Sequence, residues 1–218
     1  LCELFEDRAA LIDMRRELFE MIDRCRHLDW QLLTKRPENI NHMAPFIDGA
    51  AWPHVWLGCT VEDQERADLR IPQLNQRCST VRFLSCEPLV GPVDLSKMIN
   101  GWFNCRECGD FIGADEDGCC ATCGEDTEQH FPIEWVIIGG ESGPHARPMD
   151  LAWVREIIAV CRISDVPVFV KQFGTVWAKE NRVNGYDDMH GGDMDRWPAD
   201  LRIREFPKVA AHGTTGDL

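Results

Sequence analysis

Cys105, Cys108, Cys120 and Cys123 stand as two knuckles, Cys105-Arg106-Glu107-Cys108-Gly109 and Cys120-Ala121-Thr122-Cys123-Gly124. A two-residue gap lets both sulfurs of one turn reach a single metal, and the glycine permits the tight backbone that follows. Four thiolates in a tetrahedron suit Zn²⁺, or iron in a rubredoxin-like site. A shell filled by four protein ligands leaves no position for a substrate, so such a centre is structural. Cys119 adjoins Cys120 and is either its substitute or a spare thiol; the competing reading of the knuckles is a dithiol pair. Eleven residues separate them, enough for a hairpin containing Phe111 and Gly113 but not for a core. Metal binding, worth roughly 10 to 16 kcal/mol in zinc peptides, would supply the folding energy that packing lacks there.

A second set of polar residues gathers after short apolar runs: Thr34, Lys35 and Arg36; Cys59, Thr60 and Glu62; Cys86 and Glu87; Glu141 and Ser142; Lys171 and Gln172. Lys35 and Arg36 suit a carboxylate or phosphate group. Glu87, before Pro88, and Glu141, after Gly139-Gly140, could bind hydroxyls or an amine, or work as acid and base. The plainer alternative is that these residues cap turns and that the carboxylates pair with Arg36 or Arg147. Gly139-Gly140-Glu141-Ser142-Gly143 lacks the Lys-Ser/Thr ending of a P-loop and does not match the dinucleotide fingerprint. No Ser-His-Asp arrangement or second metal-ligand spacing stands out.

The elements that must position these residues follow from periodicity. Leu11, Met14, Leu18, Met21 and Ile22 recur at helical spacing within 7–27. Strands are predicted over Trp30–Thr34, Val55–Cys59, Val81–Ser85, Trp135–Gly139 and Pro167–Lys171, with helices over Glu62–Arg77 and Leu151–Ile163. This alternation is an α/β pattern, a parallel sheet covered by helices, and ligands of such folds bind at the carboxyl ends of the strands. The cysteine segment interrupts the rhythm, which divides the chain into 1–99, an insertion over 100–130, a continuation over 131–209 and a tail over 210–218.

The chain has 218 residues and a net charge of −14. Half of that charge sits in the insertion, where Arg106 stands against eight acidic residues between Cys105 and Glu128. The balance disfavours non-specific binding of duplex nucleic acid, which needs a basic face, and favours a small-molecule or nucleotide substrate or a protein partner. No apolar run is long enough to span a bilayer. Eleven cysteines without a secretory leader read as reduced thiols, so a cytoplasmic location is expected. The start at Leu1 rather than methionine points to a fragment or a processed chain.

Four motifs occur in order: Leu32-Leu33-Thr34-Lys35-Arg36-Pro37-Glu38, Trp56-Leu57-Gly58-Cys59-Thr60-Val61-Glu62, Phe83-Leu84-Ser85-Cys86-Glu87-Pro88-Leu89-Val90-Gly91-Pro92 and Ile138-Gly139-Gly140-Glu141-Ser142-Gly143. The series resembles the phage and prophage family named after gene products 37 and 68, from about Leu4 to Phe206. That family is similar to radical S-adenosylmethionine enzymes. The resemblance implies a partial parallel β/α (TIM-like) barrel, here with a small zinc-ribbon insertion. It also implies a [4Fe–4S] cluster on three cysteines that cleaves S-adenosylmethionine reductively, in an intact protein longer than this chain. Cys2 and Cys25 stand alone, so the cluster cysteines are expected upstream of Leu1. Under this reading Glu87 and Glu141 face cofactor or substrate, and the chain is the later part of such an enzyme. Two other readings compete: a non-catalytic phage or prophage interaction protein that uses the acidic zinc insert as its contact surface, and a cluster-free nucleotide hydrolase using Glu87 and Glu141.

Elemental analysis of the purified chain should find about one zinc per molecule, lost in Cys108→Ser. A chain that holds no metal in either form would remove the knuckle site.

Overall fold

The computed structural model describes residues 3–44, 47, 52–105, 111–112, 127–181 and 188–209, with the backbone alone for 102–105, 111–112 and 127–129. Five strands, β1 (Trp30–Thr34), β2 (Val55–Thr60), β3 (Arg82–Cys86), β7 (Trp135–Gly139) and β8 (Val168–Gln172), form one sheet in the order β1-β2-β3-β7-β8. All four pairings are parallel. Between β3 and β7 lies a separate antiparallel sheet of β4 (Trp102–Cys105), β5 (Phe111–Ile112) and β6 (Thr127–His130), in the order β5-β4-β6. This sheet occupies the predicted insertion. Cys105 closes β4; Cys108, Cys120 and Cys123, and Cys119 beside them, lie outside the described residues.

Strands that follow one another along the chain also neighbour one another in space, so the sheet is singly wound. Crossovers of one hand put the helices on one face of such a sheet. Alternate residues accordingly enter two different cores. Leu57, Cys59, Leu84, Cys86, Val136, Ile138, Val168 and Val170 belong to the larger one. There they are packed with residues of α1 (Ile12–Arg24), α3 (Gln64–Asn75), α4 (Leu151–Ile163) and α5 (Gly174–Glu180). The short helix α2 (Ile40–Met43) adds Ile40. The opposite face carries Trp56, Val81, Phe83 and Trp135, with Ile137, Phe169 and Val209 packed against them. Trp135 is central to this second cluster: its ring lies 5.9 Å from Phe83, 6.2 Å from Trp56 and 6.2 Å from Phe169. Each such pair contributes about 0.5 to 1.5 kcal/mol beyond area burial. Gly58 makes room for the cluster, since a Cβ there would stand 2.4 Å from the Phe83 ring.

The sheet has two different edges. A strap at 203–205 runs antiparallel along β8, with Val170 N–H donating to the Ile203 carbonyl at 2.9 Å and Glu205 N–H to the Val168 carbonyl at 2.8 Å. Among the described residues no strand pairs with the outer edge of β1, and none joins β1 to β8.

The predicted elements match closely, with two differences. Helix α1 buries Leu11 beside it, Phe19 and Ile22, while Met14 and Met21 are exposed. Arg15 sits on the inward side with them, donating to the carbonyls of Leu4 and Glu6. Its charged end reaches backbone acceptors, an arrangement that hydropathy alone does not anticipate. Helix α5 lies in a stretch for which no element is predicted from periodicity. Its burial of Trp177 and Ala178 explains why the chain is helical there.

Arg82, the first residue of β3, ties the loop that leads into β3 to the segment that leads into β7. Its guanidinium donates to the carbonyls of Pro132 (2.7 Å), Ser79 (2.8 Å) and Arg77 (3.0 Å) and pairs with Glu134. Burial pushes the Glu134 carboxyl up, and the Arg82 charge only partly offsets it. Removing the guanidinium strands a carboxylate and three carbonyls, so Arg82→Ala should lower unfolding stability by about 3 kcal/mol in urea titrations. A loss within 0.5 kcal/mol, about the scatter of an ordinary surface substitution, would contradict the assignment.

Candidate functional site at the carboxyl ends of the strands

Parallel register brings the ends of β1, β2, β3, β7 and β8 to one edge, and with them the polar residues predicted after those strands. At the end of β1 the Thr34 hydroxyl, fully buried, donates to a carboxylate oxygen of Glu3. The Lys35 N–H donates to the other oxygen at 2.9 Å, and the Thr34 oxygen accepts the Arg36 N–H at 2.9 Å. After β2, Glu62 lies between two cations. Lys35 Nζ is 2.8 Å from one oxygen and the Arg70 guanidinium 2.6 Å from the other. Arg70 also donates to the Thr60 carbonyl at 2.7 Å. Burial alone would raise the Glu62 pKa, but the Lys35 hydrogen bond and the charges of Arg70 and Lys35 outweigh it, so the carboxyl titrates below its usual range.

The next strand ends are equally joined. Glu87, at a cis Glu87–Pro88 peptide, pairs with Lys171 Nζ at 3.0 Å. The Gln172 amide lies 3.4 Å from Glu87, 3.2 Å from the Gly140 carbonyl and 2.8 Å from the Ser142 hydroxyl oxygen. One side chain thus links the ends of β3, β7 and β8. Gly139 and Gly140 do serve a close approach, but what approaches is the protein itself. A Cβ on Gly139 would come within 2.9 Å of the Glu87 carboxyl carbon, and one on Gly140 within 2.1 Å of the Phe173 carbonyl oxygen.

Glu141 is held by Arg147. The Arg147 Nε and N–H both donate to one oxygen at 2.8 Å, and its terminal nitrogen to the other at 3.0 Å. Those hydrogen bonds hold the Glu141 carboxyl down at about 2. Of the alternatives read from sequence, the Arg147 pairing is the one observed for Glu141, while Glu87 takes Lys171 and not Arg36. The Arg36 side chain is exposed and makes no hydrogen bond or ion pair within the described residues.

Three contributors escaped the sequence reading. Arg70 had a signal, because Glu62, Arg66 and Arg70 repeat every four residues and so share a helix face. Asp63, which caps α3 by accepting the Arg66 N–H at 2.9 Å, marks where that periodicity begins. Glu3 had none, since only the tertiary course of the first residues brings it to β1.

Paired, ionised carboxylates are poor proton donors at neutral pH and good partners for amines, hydroxyls and guanidinium groups. The edge therefore carries donors and acceptors suited to polar and charged groups. Two cavities lie elsewhere: about 470 Å³ beside α1, lined by Ile12, Phe19, Met43 and Trp52, and about 780 Å³ near the amino ends of the strands, lined by Val81, Glu134, Pro167 and Phe206. Neither gathers the strand-end polar residues, and in parallel α/β folds it is the carboxyl ends that bind ligands.

Cys25, Cys59, Cys78, Cys86 and Cys161 are free thiols. Burial pushes Cys59 and Cys161 up to about 12, and Cys86 well above its usual value. A protonated thiol buried in an apolar core behaves as a small hydrophobe. Among the described residues no group of three or more His, Cys, Asp or Glu could hold a metal ion. The described residues therefore do not fit an iron–sulfur cluster.

Residues 1–205 match a family described as protein of unknown function, DUF5131. The chain belongs to that DUF5131 family. No curated protein and no solved structure matches it. Among the described residues no helix is long and apolar enough to cross a membrane.

Because the folded pKa of Glu141 is depressed from 4.5, its stabilising contact with Arg147 is fully present above about pH 4.5 and is lost as pH falls through about 2. A carbon-13 NMR titration of this carboxyl should find its midpoint near 2, moving up toward 4.5 in Arg147→Ala. A midpoint near 4.5 in the native chain would disprove the pairing.

Proposed function

We propose that this chain is the later part of a phage-type protein similar to radical S-adenosylmethionine enzymes. In this reading the strand-end rim binds S-adenosylmethionine or a nucleobase- or nucleotide-like substrate, and the insertion carries a structural zinc. The observation that carries it is the rim: five parallel strands in sequential order, as in a β/α barrel, each followed by charged or polar residues at one edge of the sheet. The four sequence motifs quoted above fall on these ends, with Thr34 and Lys35 after β1, Glu62 after β2, Glu87 after β3, and Glu141 and Ser142 after β7. Lys171 and Gln172 come from β8.

The donor set suits such a ligand. Glu87 offers a carboxylate to an ammonium or to ribose hydroxyls, and Lys171 and Gln172 hold it in one rotamer, so little entropy remains to be lost on binding. Glu62, fixed between Lys35 and Arg70, is a rigid acceptor of the same kind. Ser142 and the buried Thr60 and Ser85 add hydroxyls at or beneath the rim. Proton transfer by Glu87 and Glu141 as an acid–base pair is disfavoured, because Arg147 keeps Glu141 ionised across the neutral range. The iron–sulfur cluster that the resemblance implies would reside in a form of the protein extended upstream of Leu1.

An anaerobically prepared, extended protein should contain iron that the present chain lacks, and calorimetry should show it binding S-adenosylmethionine. Glu87→Gln should weaken that binding by about tenfold, the loss of one charge-assisted contact. Iron in neither form, with no binding, would move the reading to the non-catalytic interaction protein with the acidic insert as its contact surface.

A further inference from the structure

The end of β1 differs from the other four. Elsewhere on the rim each carboxylate is met by a cation: Glu62 by Lys35 and Arg70, Glu87 by Lys171, Glu141 by Arg147. At β1 the Glu3 carboxylate is received by neutral donors, with the Thr34 hydroxyl on one oxygen and the Lys35 N–H on the other. Among the described residues no ion pair joins Glu3 to a cation. Lys35 Nζ is committed to Glu62, and the Arg36 guanidinium is exposed and without a partner among the described residues. The Thr34 hydroxyl is held in place by burial and by the Arg36 N–H that it accepts. Two fixed donors converging on one carboxylate, with an uncommitted guanidinium on the next residue, form a receptor for an oxyanion.

We propose that the carboxyl end of β1 is the oxyanion-binding subsite of the rim, occupied in this structure by the carboxylate of Glu3. A carboxylate or phosphoryl group of the incoming ligand displaces Glu3 and takes the Thr34 hydroxyl and the Lys35 N–H, with Arg36 closing on its outer side. The placement rests on the rim reading of the preceding section. It adds to that reading that the ligand is anionic at one end, and that an internal carboxylate competes for the site. Competition has a definite consequence: binding is weaker than the donors alone would give, by the cost of expelling Glu3, and removing Glu3 strengthens it. A planar guanidinium can clamp two oxygens at once, so Arg36 is the residue whose loss the anion should register most.

The test is calorimetric titration of inorganic phosphate, and separately of acetate, into the full chain and its variants, with the Lys35 amide followed by NMR. Glu3→Ala should bind phosphate about tenfold more tightly than the native chain, and the Lys35 amide signal should shift on saturation. Adding Arg36→Ala to that variant should reverse the gain. Tighter acetate than phosphate would assign the subsite to a ligand carboxylate, and the reverse order to a phosphoryl group. Arg36→Ala alone removes an exposed side chain that makes no hydrogen bond or ion pair among the described residues. In that variant phosphate affinity should fall at least about threefold, which keeps the test decisive if Glu3→Ala does not fold. Glu3→Ala with unchanged affinity, or indifference of both backgrounds to Arg36, overturns the proposal. Phosphate binding is read apart from S-adenosylmethionine binding, so either result can fail while the other stands.

Discussion

Parallel pairing is the constraint from which the rest of this molecule follows. β1, β2, β3, β7 and β8 pair in parallel throughout, so all five strands point the same way. Every chain segment that leaves a strand must then do so at the same edge. Backbone polar groups there lose their ladder partners, and the polar side chains that follow each strand come within reach of one another. The crowded edge is stabilised by cross-connections: the Val61 N–H donates to the Ser85 carbonyl, the Leu89 N–H to the Gly139 carbonyl and the Gly140 N–H to the Gln172 carbonyl. Side-chain pairs then complete what the backbone begins. A rim built in this way is rigid because it is over-connected, and rigidity is what a binding site needs of its scaffold.

The same constraint sets the composition of the strands. β2 and β3 are buried throughout, so alternate residues must be apolar toward both sides, and the sequence shows near-continuous apolar runs there. On the helix side the strands contribute aliphatic residues with Cys59 and Cys86, and these meet Cys161 and aromatic residues such as Phe19, Phe173 and Trp177. On the other side the filling is aromatic, and Gly58 yields space to Phe83. Toward the rim that second face changes to Thr60 and Ser85, both buried, so the interior grows more polar toward the proposed ligand.

Much of this was legible in the residues, and the reasons are physical. β1 and β7 match their predicted bounds, as does α4, because apolar runs bounded by turn residues and clear helical periodicity leave little choice. The strand-end polar residues were legible because fold class dictates where strand ends go. The partners were not. Glu141 with Arg147 lies six residues apart and was open to reading; Glu87 with Lys171 spans 84 residues, and nothing local encodes it. The role of Gly139 and Gly140 was hidden for a related reason. A glycine announces close approach, but only the fold reveals that Glu87 and Phe173 are what draw near. The inward turn of Arg15 and the helix at α5 were hidden likewise, since one depends on backbone acceptors and the other on tertiary burial of Trp177.

Amide chemical-shift mapping with S-adenosylmethionine on the extended, anaerobically prepared protein tests the central claim most directly. The account predicts perturbations concentrated after the five strands, at Lys35 and Arg36, Glu62 and Asp63, Glu87, Gly140 to Ser142, and Gln172. Perturbations confined to the cavity near Val81 and Glu134, or to the groove beside α1, would contradict it.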